Sequence, residues 1–124
     1  LSHINIVAFS ATSRCWRPRM AVTSNANRKD AAVFVAGLRS LKNSHFVNAF
    51  DKGTKCGEGA DRIYFVSCGE PSDEGALAAA LAMSCNLGGI PIDTLSAPST
   101  SDSCVRLLQS ISHRTGGIYR SFGP

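Results

Sequence analysis

The 124 residues suit a single domain, and a balance of 44% hydrophobic to 18% charged residues is that of a chain that buries a packed core. The formal net charge of +4 permits weak attraction to polyanions, but Arg14, Arg17, Arg19, Arg28 and Lys29 carry no interleaved aromatic platforms. A solvated basic face is therefore expected, nucleic acid is not indicated, and no apolar run of roughly 18 residues suggests a membrane span.

Ile4-Asn5-Ile6-Val7-Ala8-Phe9 is short and almost continuously apolar, as a strand buried on both faces reads. After a polar turn over residues 10–13, Arg14-Cys15-Trp16-Arg17 pairs back as a hairpin. Pro18 stops that ladder because it has no N–H to donate. Trp16 is expected to pack. Thr23, Asn25 and Asn27 are candidate caps for a helix over 30–41, striped by Phe34, Leu38 and Leu41. Phe46, Val47 and Phe50 predict a shorter helix ended at Gly53, and residues 52–61 read as a surface loop.

Residues 62–67 form the second apolar strand run, followed by an acidic turn over 68–74 and an alanine-rich helix over 75–86 that Gly88 and Gly89 terminate. A third strand covers 90–95. Ser101 or Asp102 caps a helix carrying Val105, Leu108 and Ile111, with His113 and Arg114 at its negative end. Residues 118–122 alternate like a half-exposed edge strand. Strands separated by helices imply right-handed crossovers and a doubly wound, mostly parallel α/β sheet with helices on both faces and an antiparallel hairpin edge. The working surface of such a sheet is the rim at the carboxyl ends of its strands. Here that rim holds Ser10, Ser13, Ser67, Cys68, Glu70, Asp73 and Ser96.

The five cysteines are odd in number and irregular in spacing, without a CxxC pair or a Cys/His zinc pattern. Reduced thiols in an intracellular compartment fit that usage. No secretory leader opens the chain. Without an initiator Met it is expected to begin inside a longer polypeptide, whose own targeting signals stay open.

The element order, with Ile4-Asn5-Ile6-Val7-Ala8-Phe9-Ser10, Trp16-Arg17-Pro18, Ile63-Tyr64-Phe65-Val66-Ser67-Cys68-Gly69 and His113-Arg114-Thr115-Gly116-Gly117-Ile118-Tyr119, resembles the von Willebrand factor A family over essentially the whole chain. The Trp-x-Pro hairpin end and the His-Arg-Thr-Gly-Gly segment look most like its intracellular branch, which includes ciliary and axonemal members. The resemblance implies a Rossmann-like fold whose first strand and helix are missing here. That strand lies centrally in the family, so a gap is expected between residues 4–9 and 62–67, filled by an upstream segment or another chain, or closed by direct pairing of the two.

The family's divalent-metal site uses an Asp-x-Ser-x-Ser segment, a loop Thr and an Asp in a Thr-Asp-Gly turn. No such segment is present, Asn43-Ser44-His45 lacks the Thr, and Ser67-Cys68-Gly69 puts a soft thiol where a hard oxygen belongs. A degenerate site at Cys68, no metal and no cofactor are the expectation. The resemblance then implies a non-enzymatic protein-interaction or scaffold module, a structural subunit of a larger intracellular assembly, cytoplasmic and by likeness cytoskeletal, ciliary or flagellar.

Two alternatives follow from the same residues. One is a Mg²⁺-dependent adhesion-type domain with its ligands upstream. The other is a cysteine-dependent enzyme using Cys68 at a helix N-terminus with His45 or His113 as base. For Cys68 the plainer reading is a small turn residue, for Glu70, Asp73 and Glu74 helix-end electrostatics, and for Asp93 a polar outward face. No nucleotide-binding glycine fingerprint occurs.

Overall fold

A computed structural model of the chain describes residues 2–39, 43–67 and 70–122. Its strands are β1 (His3–Ile4), β2 (Val7–Phe9), β3 (Ser13–Cys15), β4 (Ala21–Val22), β5 (Ile63–Ser67), β6 (Ile92–Ser96) and β7 (Tyr119–Ser121). Its helices are α1 (Asn25–Ala36), α2 (Phe46–Cys56), α3 (Ala76–Asn86) and α4 (Asp102–Thr115).

The apolar runs at 63–67 and 92–96 become neighbouring parallel strands, with Phe65 opposite Thr94, and β7 adds in parallel beyond β6. Alternation along these strands sorts the side chains between two faces. Phe65, Ile92 and Thr94 point toward the helices and are buried, whereas Tyr64 and Val66 are 65% and 50% exposed. Helices α2, α3 and α4 pack side by side against the first face. Thr94 fixes α4 there by donating its hydroxyl to the Leu108 carbonyl at 2.8 Å.

The N-terminal strands form ladders of their own, β2 antiparallel to β3 and β1 antiparallel to β4. Direct pairing of the first strand with β5 does not occur, which corrects that version of the expected reduced sheet. The two strands nevertheless lie close. Phe9 stacks on Phe65 with centroids 5.5 Å apart, and Phe46 and Phe50 of α2 complete a cluster of four rings. Each fully buried aromatic contributes about 1.5–3 kcal/mol, more than the exposed Arg17–Asp30 ion pair at under ~1 kcal/mol.

Strand β2 runs in the same direction as β5. It begins beside the C-terminus of α2, where Asn5 donates to the Cys56 carbonyl and Cys15 is bonded to Cys56, and ends beside the N-terminus, where the His45 amide donates to the Ser10 carbonyl. Strand β5 starts from the C-terminal end of α2 and finishes near its N-terminus, where Asp73 accepts from the Val47 amide. Two strands of one direction, each with an unpaired edge among the described residues, thus flank a slot above the ring cluster.

The Cys15–Cys56 disulfide corrects the expectation of reduced thiols. Spacing could not reveal it, because the two cysteines meet only through the packing of the hairpin on α2. Cys85 is exposed and Cys104 buried. Beside the disulfide, Asn5 clasps the break between β1 and β2. Its Nδ2 donates to the carbonyls of Arg17 and Cys56, and its Oδ1 accepts from the amides of Ile6 and Arg17.

Two helix boundaries differ from expectation. Helix α1 starts five residues early, because the Ser24 hydroxyl accepts from the Asn27 amide as N-cap, and it ends at Gly37. It lies against the hairpin: Trp16 Nε1 and Arg17 both donate to Asp30, and the Arg14 guanidinium covers the Phe34 ring. Leu38 is exposed and Leu41 lies outside the described residues. Helix α2 continues through Gly53 to Cys56. There glycine permits close helix packing rather than a stop, since a Cβ would sit 2.9 Å from Met83 Sδ on α3.

Candidate functional site

The carboxyl rim gathers the turn at 10–13, the N-terminus of α2, the loop from Glu70 to Gly75 and the segment leading into α4. Hydrogen bonds bind these pieces together. Ser44 and Ser72 are joined twice, the Ser44 amide to Ser72 Oγ at 2.9 Å and the Ser72 amide to the Ser44 carbonyl at 2.8 Å. Asn48 reaches the Ala11 carbonyl.

The acidic loop does favour helix ends, but not those of the helix it precedes. Asp73 Oδ2 accepts the Val47 amide at 3.0 Å and so caps α2, whose own N-cap residue, His45, makes no side-chain cap bond. Glu70 Oε1 accepts from the hydroxyls of Ser101 and Ser103, the latter at 2.9 Å, at the start of α4. Helix α3 instead starts from Gly75 in a left-handed conformation. A single loop therefore ties the positive ends of α2 and α4, the two helices that flank α3, where carboxylates are stabilising.

The expected rim residues separate by exposure. Glu70 is exposed, and Ser10, Ser13 and Asp73 are half-buried. Ser67 and Ser96 are buried on the helix-covered face, and Ser96 is hydrogen-bonded to the Tyr119 hydroxyl at 2.6 Å. Cys68 lies outside the described residues. His45 is at the rim, whereas His113, in the last turn of α4, is at the opposite end of the sheet. Ser72 and Ser101 lie within the stretches 67–73 and 96–102 expected at the rim, and Ser103, just beyond them, joins Ser101 on Glu70.

Glu70 Oε1 accepts from hydroxyls and Asp73 Oδ2 from an amide, while the shielded Asp73 Oδ1 has no hydrogen-bond partner. No group of three or more His, Cys, Asp or Glu residues suited to a metal occurs among the described residues.

Away from the rim, the second sheet face carries Tyr64, Val66, Asp93, Leu95, Ile118 and Arg120. Asp93 faces outward as expected, and its Oδ1 accepts from Arg62 at 2.6 Å and from the Ile118 amide at 2.9 Å.

Parallel strands crossed by helices, with loops converging on one rim, define a Rossmann-like α/β domain. Its fold is that of von Willebrand factor A-type domains. The structure is similar to a von Willebrand factor type A protein from Catenulispora acidiphila, with a TM-score of 0.80 and 14% identity over 98% of this chain. It is also similar to an aerotolerance-related membrane protein from Bacteroides fragilis carrying multiple mutations to serines, with a TM-score of 0.70 and 16% identity over 98% of this chain. The chain spans 30% of the length of the first and 72% of the second. No protein-family model and no curated protein matches the sequence. No helix among the described residues is long and apolar enough to cross a membrane.

Proposed function

We propose that the chain is part of a non-enzymatic protein-interaction module, a scaffold subunit of a larger assembly, that engages its partner through the carboxyl rim. The observation that carries this reading is the cross-tied rim itself. Glu70, an exposed carboxylate of that rim, is held by two serine hydroxyls at the start of α4, a rigid polar surface suited to recognition. Ser10, Ser13, Asp73 and Cys68 complete the proposed contact set around it, with Ser67 and Ser96 supporting it from beneath.

The domain is completed by a strand in the slot between β2 and β5, because unpaired N–H and C=O groups beside an apolar ring cluster are costly to leave without partners. As to setting, likeness to the intracellular branch favours a cytoplasmic, cytoskeletal or ciliary place. The Cys15–Cys56 bond, a property of this chain itself, favours an oxidising compartment instead. Cross-linking mass spectrometry of the assembly tests the rim. Contacts from residues 10–13, 70–75 and 99–103, abolished by Glu70→Arg in a chain that still folds, are expected; a partner retained at full affinity by that variant refutes the rim as its site.

A further inference from the structure

We infer that the outer edge of β3, the edge turned away from β2, is a second interaction surface, on which an acidic, extended segment of a partner protein adds as a further strand.

The hairpin ladder determines which backbone groups are left over. The Ser10 amide donates to the Thr12 carbonyl and the Trp16 amide to the Ile6 carbonyl. Hydrogen-bonded pairs alternate along an antiparallel ladder, so Ala8 and Arg14 form the pair between these two. The N–H and C=O groups of Ser13 and Cys15 therefore point outward, and no other described residue bonds to them. Beyond β3 the edge is closed. Asn5 occupies the amide and carbonyl of Arg17, and Asn27 donates to the Val22 carbonyl of β4. The open stretch is short and defined, with room for about four main-chain hydrogen bonds.

Charge selects the partner. Residues 2–39 hold six cations, Arg14, Arg17, Arg19, Arg28, Lys29 and Arg39, and one acidic residue, Asp30, whereas residues 43–122 hold six cations and eight acids. Arg14 is on β3 itself and Arg19 is exposed in the turn that follows. Helix α1, held to the hairpin through Asn27 and Asp30 on Arg17, sets exposed Arg28 and Lys29 on the same lobe. Of the six cations, Arg17 alone forms an ion pair among the described residues. Such charge makes two copies of this edge repel each other and draws in an acidic chain. Trp16 and Phe34 are each covered by an arginine of the chain itself, at 4.5 and 5.0 Å from the ring centroids, which disfavours stacking of a nucleobase on them. An extended polypeptide, unlike a sulfated or phosphorylated polymer, also matches the alternating donors and acceptors of Ser13 and Cys15.

Titration of the full chain with a peptide alternating glutamate and valine, and with the same peptide N-methylated at every amide, tests the surface. The first peptide is expected to slow amide exchange at Ser13 and Cys15, read by NMR, and to bind less tightly as salt is raised. The methylated peptide binds at least about tenfold more weakly. Arg19→Glu combined with Lys29→Glu lowers affinity for the first peptide about tenfold at an unchanged melting temperature. Equal affinity for the two peptides, or binding that leaves Ser13 and Cys15 exchanging as before, overturns strand addition. Unchanged affinity in the double variant overturns the charge selection. A chain that binds neither peptide, that prefers a sulfated polysaccharide or an oligonucleotide, or that protects these amides by self-association alone, overturns the acidic partner.

Discussion

Reducing the Cys15–Cys56 bond is expected to remove a large part of the stability of this domain. The bond closes a loop of 41 residues. A cross-link of that span lowers the entropy of the unfolded chain by about 13 cal/mol/K, hence by about 4 kcal/mol at room temperature in the chain-entropy treatment. Set against roughly 5–15 kcal/mol for the whole of a domain, that loss brings the chain close to its folding threshold. The assay is equilibrium urea unfolding of the oxidised protein, the reduced protein and Cys15→Ser. The last two should share a midpoint well below the first, and denatured protein should take up two fewer alkyl groups before reduction than after. Equal midpoints with equal slopes, or alkylation of all five cysteines without reductant, would refute the reasoning.

Asn5→Ala removes a side chain that makes four hydrogen bonds to backbone groups, and a loss of about 2–4 kcal/mol in urea unfolding is expected. Gly117→Ala would set a Cβ 2.1 Å from the Ile92 carbonyl oxygen, so β6 and the turn before β7 must shift. A cost of at least ~2 kcal/mol follows for such overpacking, read as a lower melting temperature. Asp73→Ala strips the cap from Val47 and should cost about 1 kcal/mol, with exchange quickened in the first turn of α2 and not in α3.

The parallel strands and α4 were legible because their signals are local. Residues 63–67 and 92–96 are apolar runs of strand length, and Ser101 with Gly116 brackets an amphipathic helix at both ends. Where sequence reading erred, a contact from elsewhere in the chain decided the outcome. Gly53 resembles a helix stop until Met83 is seen to need its space, and Asp73 reads as a cap for the following helix until α2, with no cap of its own, is found beside it. Cys15 and Cys56 carry no pairing pattern at all. The rim was legible as a set of loops, but not the inward orientation of Ser67 and Ser96, which depends on the strand register relative to the helices.

No backbone ladder joins the N-terminal hairpin to the parallel sheet among the described residues; rings, a disulfide and the flank of α2 do so. Mechanically, α2 is an axle carrying a two-stranded blade on one side and the three-stranded sheet on the other. A load pulling on the ends of the chain would part the molecule along this seam before shearing any parallel strand, and the disulfide limits how far the blade can swing.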